Sequence, residues 1–152
     1  EYARSAADQD NPLPHELRSE DLLKNTMDYL LKHVVDSLPG SEDDLATWYD
    51  FLWSRTRAIR KEITQLMLTD ATAIALFERC ARLHILCAYK LCRLGFDRFD
   101  QNMNTENLAK CLQSLRHLYE DLELQGKTFD TEAEFRGYDV MLHLHDSNIM
   151  RQ

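Results

Sequence analysis

The chain has 152 residues with 26 acidic and 18 basic side chains, which gives a formal net charge of −8. Hydrophobic residues make up 44% of it, as in an ordinary globular domain, and no apolar run is long enough to predict a membrane span. Four glycines and three prolines are too few for an all-β fold with many turns. No secretory signal follows the first residue, which is Glu, so we expect a piece of a longer protein.

The first 18 residues show little hydrophobic periodicity. Pro12 and Pro14 disfavour helical geometry at the residue before each of them, which predicts an extended N-terminal arm over residues 1–18. A first helix is predicted from about Ser19 to Val35, because apolar residues there repeat at steps of three and four and Ser19 can cap the start.

Two long helices are predicted next. The second begins near Ser41, which has the spacing of a capping box with Asp44, and its apolar stripe continues to Leu66. The third starts after Asp70 and continues to about Leu94. Much of the circumference of this third helix is apolar, so we expect it to be the most buried.

Two further helices complete the pattern. Asn104 is predicted to cap the fourth helix, and Gly126 is a plausible stop after it. Thr131 and Glu134 have the spacing of a capping box that opens a fifth helix.

The sequence therefore predicts an all-α fold of about five main helices. Short loops favour antiparallel hairpins, and a stacked tetratricopeptide-like repeat explains the pattern as well as a closed bundle does. The helical-repeat domain is predicted over residues 19–146, and residues 147–152 as the start of a further element that is cut short. Eight large side chains are predicted core anchors: Trp48, Trp53, Phe77, His84, Leu115, Tyr119, Phe135 and Tyr138.

Catalytic and metal signals are weak in this sequence. It contains no G-x-S-x-G, H-E-x-x-H or P-loop pattern. Cys80, His84 and Cys87 share one helical face, but the two thiols are about 10 Å apart along a straight helix, too far for one tetrahedral zinc. We expect reduced thiols in the core, no metal site, no cofactor and no small-molecule substrate.

Charge is segregated along the chain. Residues 1–50 have a net charge of −8, residues 53–93 a net charge of +5, and residues 94–152 a net charge of −5. The basic centre could therefore be neutralised from within a compact fold.

The densest basic stretch is WSRTRAIRKEITQ, residues 53–65, which contains four cations: Arg55, Arg57, Arg60 and Lys61. On a helix, the last three share one flank of the apolar stripe, and Arg55 points towards the other side. Pairing with acids of neighbouring helices is the favoured interpretation. Direct binding of RNA or another single-stranded nucleic acid and docking of a protein partner remain alternatives.

Five blocks of the chain, in order and over nearly its whole length, resemble the Sac/GANP family, which is named after germinal-centre-associated nuclear protein. They are EYARSAADQDNPLPHELR (1–18), FLWSRTRAIRKEIT (51–64), RLHILCAYKLC (82–92), ENLAKCLQSLRHLYEDL (106–122) and EAEFRGYDVMLHL (132–144). The resemblance implies the helical-repeat part of a PCI-like region, with a right-handed stack of helix pairs.

The same resemblance implies a scaffold without enzymatic activity, which couples transcription to mRNA export at the nuclear pore. We expect it in the nucleus and at the nuclear envelope. Its implied partners are a PCI-domain subunit and a small acidic subunit, bound mainly through a downstream winged-helix module. RNA binding by the present residues would be weak, and no insertion into a membrane is expected.

Overall fold

The computed structural model describes the backbone of residues 13–149 and the side chains of residues 13–144. Most of the predicted arm and the last three residues of the tail lie outside the described residues. A short 3₁₀ turn at Pro14–Glu16 precedes five helices: α1 (Glu20–Tyr29, extended by a π-helical segment Leu30–Val35), α2 (Glu42–Gln65), α3 (Ala71–Leu91), α4 (Gln101–Glu123) and α5 (Glu132–Ile149).

All regular structure in the described residues is helical, which confirms the predicted all-α helical-repeat class. The third helix, α3, lies at the centre of the stack, since it packs against α1, α2 and most extensively α4. The last helix, α5, packs on α4. None of the described helices is both long and apolar enough to cross a membrane.

The predicted starts of α1, α2 and α3 are confirmed. The side chains of Ser19, Ser41 and Asp70 each accept a hydrogen bond from the backbone N–H three residues on, which satisfies a donor that the first helical turn leaves unpaired. The Ser41 hydroxyl also donates to the Asp44 carboxylate at 2.6 Å, so the predicted capping pair is closed by its two side chains.

The predicted start of α4 at Asn104 is wrong. The helix begins one turn earlier, at Gln101, and Asp100 caps it by accepting from the backbone N–H of Met103 at 2.9 Å. Asn104 is completely buried inside the helix and bonds to α3. Asparagine suits both a cap and a buried polar contact, and periodicity alone does not separate these uses.

The predicted capping box at the start of α5 is also wrong in its side-chain contacts. The helix does begin directly after Thr131. However, the Thr131 hydroxyl donates to the carboxylate of Glu78, and Glu134 accepts from Arg82 at 2.7 Å. Both side chains therefore connect α5 to α3 instead of closing the helix end. The helix continues to Ile149, so residues 147–149 extend it.

The first predicted helix changes its winding near its end. From Leu30 the backbone becomes π-helical. The carbonyl oxygen of Val34 accepts a hydrogen bond from the indole N–H of Trp48 at 2.8 Å. This bond connects the end of the first helix to α2 through a buried aromatic side chain.

One apolar core runs through the stack, and α3 is its most buried helix, as expected. Eleven of the 21 residues of α3 are buried, against seven of 24 in α2. Six of the eight predicted anchors are buried, namely Trp48, Phe77, His84, Leu115, Tyr119 and Phe135. Trp53 and Tyr138 are half-buried and pack against the same core.

Candidate functional site: a basic cleft between α2 and α4

An open cleft of about 260 Å³ separates α2 from α4. Both helices pack on α3 but make few contacts with each other, so the space between them is left open. The apolar part of its lining is Phe77 of α3, a side chain that is only 7% exposed. The remaining lining residues are polar or charged and come from α2 and α4.

The cleft is strongly basic. Arg57, Arg60 and Lys61 line it from α2, and Lys110 lines it from α4. Thr64, Asn107 and Ser114 add hydroxyl and amide groups. The described lining residues include no Asp or Glu, so this part of the lining contributes four cationic side chains.

Arg60 connects the two walls of the cleft. One guanidinium nitrogen, Nη2, donates to the side-chain oxygen of Asn107 at 2.7 Å. The other, Nη1, lies 3.4 Å from the backbone carbonyl oxygen of Asn107 and 3.6 Å from the Cys111 sulfur. The favoured interpretation had acids opposite these arginines, but these described partners of Arg60 are an amide and a thiol. These bonds between the helices therefore join the Arg60 guanidinium to neutral groups of α4.

The other two arginines of the basic stretch lie against aromatic rings. The Arg57 guanidinium is 5.7 Å from the centre of the Trp53 ring, and that of Arg55 is 5.5 Å from the centre of the Phe51 ring. Arg57 lines the cleft, and Arg55 is not among its lining residues. The helical geometry expected from the sequence therefore separates these cations correctly.

An acid within the basic stretch makes a long-range ion pair with a residue that precedes α1. Glu62 accepts from the Arg18 guanidinium at 2.7 Å and from the Arg18 backbone N–H at 3.0 Å. Both side chains are more than three-quarters buried. This pair connects α2 to the segment that precedes α1. The distribution of charge along the sequence does not single out either residue.

Sequence reasoning missed the contribution of α4 to the cleft. Lys110 and Asn107 are about 50 positions from Arg60 along the chain, and neither belongs to a cluster of cations. The register between α2 and α4 depends on how each packs on α3, and helical periodicity carries no information about it. The weak signal available was a lysine at 110 on the polar side of the α4 stripe.

Three thiols and the ring of His84 are buried in the core and are not among the described lining residues of the cleft. Burial raises the pKa of the Cys80, Cys87 and Cys111 thiols, that of Cys87 to about 12. Burial lowers the pKa of His84 to about 4, and the nearby Arg60 charge acts in the same direction. Within residues 13–144, no three His, Cys, Asp or Glu side chains are arranged to hold a metal ion.

Comparison with known proteins places this arrangement in a family. The whole chain, residues 1–152, matches the SAC3/GANP family. The chain belongs to the SAC3/GANP family. The resemblance noted from its five sequence blocks is therefore confirmed.

Three relatives show how far the similarity to this SAC3/GANP chain extends. It is 47% identical over 152 residues to Protein xmas of Drosophila melanogaster. It is 37% identical over 152 residues to SAC3 family protein 1 of Schizosaccharomyces pombe, and 39% identical over 133 residues to SAC3 family protein B of Arabidopsis thaliana. The aligned regions cover 99%, 99% and 84% of the chain respectively.

The chain spans only a small part of these relatives. It covers 7% of the Drosophila protein, 14% of the fission yeast protein and 8% of the plant protein. The SAC3/GANP family is linked to mRNA export. The helices described above thus correspond to one short segment of these much longer relatives.

Proposed function

We propose that this SAC3/GANP chain is the helical-repeat segment of a nuclear scaffold that couples transcription to mRNA export at the nuclear pore. The observation that carries the proposal is the family match over the entire chain, residues 1–152. The continuous helical stack supports it, because stacked helix pairs present extended surfaces to protein partners.

The proposed role is non-enzymatic. The buried polar groups that could serve chemistry are engaged in structural bonds: Glu78 accepts from Tyr119 at 2.7 Å, and His84 bonds to Asn104 at 2.9 Å. The names of the three relatives state no catalytic activity. Each of these polar groups stabilises contacts between helices.

The proposed partners are a PCI-domain subunit and a small acidic subunit. Support comes from the resemblance of the five sequence blocks to the family, which implies the repeat part of a PCI-like region. The winged-helix module that follows such repeats would provide most of the binding surface, and the helical stack would hold that module in position.

A pull-down from nuclear extract tests the partners. The bait is a form of the protein that extends through the winged-helix module, and bound proteins are identified by mass spectrometry. We expect recovery of a PCI-domain subunit together with a small acidic protein. Recovery of neither, from a bait shown to be folded by circular dichroism, would contradict the proposal.

A matched pair of variants tests the dependence on the stack. Leu115 is 1% exposed in the core, and Leu124 is 89% exposed just after α4. We expect Leu115→Asp to abolish recovery of the PCI subunit and Leu124→Asp to preserve it. Equal recovery by both baits would show that binding does not need the helical stack.

Localisation tests the cellular part of the proposal. The full-length protein with a fluorescent tag should concentrate in the nucleus and at the nuclear rim. Cells that carry Leu115→Asp in place of the natural gene should accumulate polyadenylated RNA in the nucleus. A uniform cytoplasmic signal from the tagged wild-type protein would count against the nuclear assignment.

A further inference from the structure

We propose that the basic cleft between α2 and α4 binds the phosphate backbone of single-stranded RNA. This inference goes beyond the scaffold role, since it assigns a ligand to residues of the helical stack itself. It concerns a surface within this chain and does not depend on a downstream module.

The first argument is the sign and arrangement of charge. The protein as a whole has a net charge of −8, yet the described lining of this cleft contains no carboxylate and brings together Arg57, Arg60 and Lys110. Cations that face each other across an open cleft repel one another and favour binding of an anion. Arg60 adds to this, because its described bonds to α4 go to neutral groups.

The second argument is the length of the basic surface. From Arg57 to Thr64 the α2 wall extends for about 10 Å at 1.5 Å per residue, and Lys110 and Ser114 repeat the pattern on the α4 wall. A single small anion would need convergent donors at one point. Cations and hydroxyl groups spread along two walls suit a chain of successive phosphates, as in grooves that follow a nucleic-acid backbone.

The third argument separates RNA from an acidic peptide. Protein partners gain most of their affinity from aromatic or aliphatic side chains that fill apolar pockets. The described apolar group in the lining, Phe77, is 7% exposed and provides almost no such surface. It also provides no platform for base stacking, so we expect weak, sequence-independent binding that is dominated by phosphate contacts.

The test uses the intact 152-residue chain and a fluorescently labelled 20-nucleotide oligouridine. Arg57→Gln with Lys110→Gln removes two cleft cations while leaving the Arg60 bonds to Asn107 in place. The matched control is Lys32→Gln with Lys127→Gln, which makes the same change in net charge at two exposed lysines that do not line the cleft. Binding is measured by anisotropy between 50 and 200 mM salt, and melting temperatures verify that all proteins are folded.

We expect the cleft variant to bind oligouridine at least about tenfold more weakly at 50 mM salt, and the control pair to stay within about twofold of wild type. The slope of log K against log salt should fall by about 1.4 for the cleft variant, since each lost phosphate contact contributes about 0.7. Equal losses in both pairs would reduce the effect to net charge and overturn the proposal. Absence of measurable wild-type binding at 50 mM salt would also overturn it.

A second ligand separates RNA from acidic protein segments. Labelled polyglutamate of matched charge is titrated under the same conditions. We expect it to bind more weakly than oligouridine. If the cleft variant loses more affinity for polyglutamate than for oligouridine, the cleft is a site for an acidic peptide and the RNA proposal is wrong.

Discussion

The ring nitrogen Nδ1 of His84 on α3 lies 2.9 Å from the amide oxygen of Asn104 on α4, and both side chains are buried. The Asn104 amide nitrogen donates back to the His84 carbonyl oxygen at 2.9 Å, and the Tyr49 hydroxyl lies 3.4 Å from the same amide oxygen. With the amide oriented in this way, Nδ1 is the donor and the neutral ring is held in one tautomer. This polar contact joins the two helices that pack most extensively.

Replacement of Asn104 tests its role inside the stack. We expect Asn104→Ala to lower the free energy of unfolding by about 2–3 kcal/mol, because it leaves buried groups on His84 without partners. Asn102→Ala, at an exposed position in the first turn of α4, should cost less than about 0.5 kcal/mol. Urea denaturation measures both. A loss of only about 1 kcal/mol at Asn104 would be the size expected of a helix cap.

Acid should destabilise the protein through His84. Burial lowers the pKa of this group to about 4 in the folded chain, whereas its ordinary value is 6.5. The unfolded state therefore binds more protons between these two values, and stability is full above about pH 6.5 and falls as the pH drops towards 4. Between pH 7 and pH 5 the loss from this residue should be about 2 kcal/mol.

The variant His84→Gln isolates this contribution, because it removes the titrating ring. Wild type should lose about 2 kcal/mol more than His84→Gln between pH 7 and pH 5 in denaturant titrations. His117→Gln, at an exposed position of α4, should follow wild type. Parallel pH profiles for wild type and His84→Gln would show that another group controls the acid response.

Two tyrosines donate hydrogen bonds to glutamates at sites of different burial, and we expect their removal to have unequal effects on stability. Tyr119 donates to it at 2.7 Å from a side chain that is 2% exposed, so Tyr119→Phe should cost about 1–3 kcal/mol. Tyr138 donates to Glu134 at 2.9 Å but is only half-buried. Tyr138→Phe should therefore cost under about 1 kcal/mol. Thermal denaturation of the two variants compares the same atomic change, and a larger loss at Tyr138 would contradict this assignment.

The turn after α2 contains a removable strain. Met67 has a φ of 52° and is 83% exposed, so its side chain gains little from packing in a conformation that favours glycine. We expect Met67→Gly to stabilise the protein by about 0.5–1 kcal/mol. A decrease in melting temperature would show that the Met67 side chain makes a stabilising contact.

Two alanine variants provide the converse. Gly126 has a φ of 78° in the turn after α4, and an added Cβ would meet nothing within 4 Å, so the cost of Gly126→Ala is conformational. We expect a loss of about 1 kcal/mol. Gly40 has the same free space and no positive φ, and Gly40→Ala should leave stability unchanged or slightly raised.

The two arginines of the cleft should differ in their contribution to the free energy of unfolding. Arg60→Ala removes hydrogen bonds that join α2 to α4 and should cost about 1–3 kcal/mol. Arg57→Ala removes a cation–π contact on Trp53 and should cost under about 1 kcal/mol. Denaturant unfolding of both variants checks the order, and a larger loss at Arg57 would reverse the structural assignment.

Helix existence followed from the sequence because each helix has its own apolar stripe. The starts at Ser19, Ser41 and Asp70 were predictable, since capping residues precede each stripe directly. The predicted cap at Asn104 was wrong because an asparagine one turn inside a helix has the same local sequence pattern as a capping asparagine. Its true partner is His84, 20 positions away, and no local pattern reports that contact.

Only one of the two walls of the candidate site could be predicted from the sequence, for the same reason. The flank of α2 with Arg57, Arg60 and Lys61 could be drawn on one helix. The opposite wall, with Asn107 and Lys110, required the register of α4 against α2, which α3 sets by packing between them. Acidic flanking segments suggested carboxylates as partners of the arginines, yet a neutral amide lies opposite Arg60.

The neutral amide at position 107 affects the net charge of the cleft lining. Asparagine and aspartate have nearly the same shape, and either could accept the hydrogen bond from Arg60. Aspartate would cancel one of the positive charges at the point where the two walls meet. Asparagine accepts the hydrogen bond and leaves the charge of the guanidinium unneutralised. A side chain that itself carries no charge thus preserves the attraction of this surface for anions, and hydrolysis of that one amide would reduce it without breaking the contact between the helices.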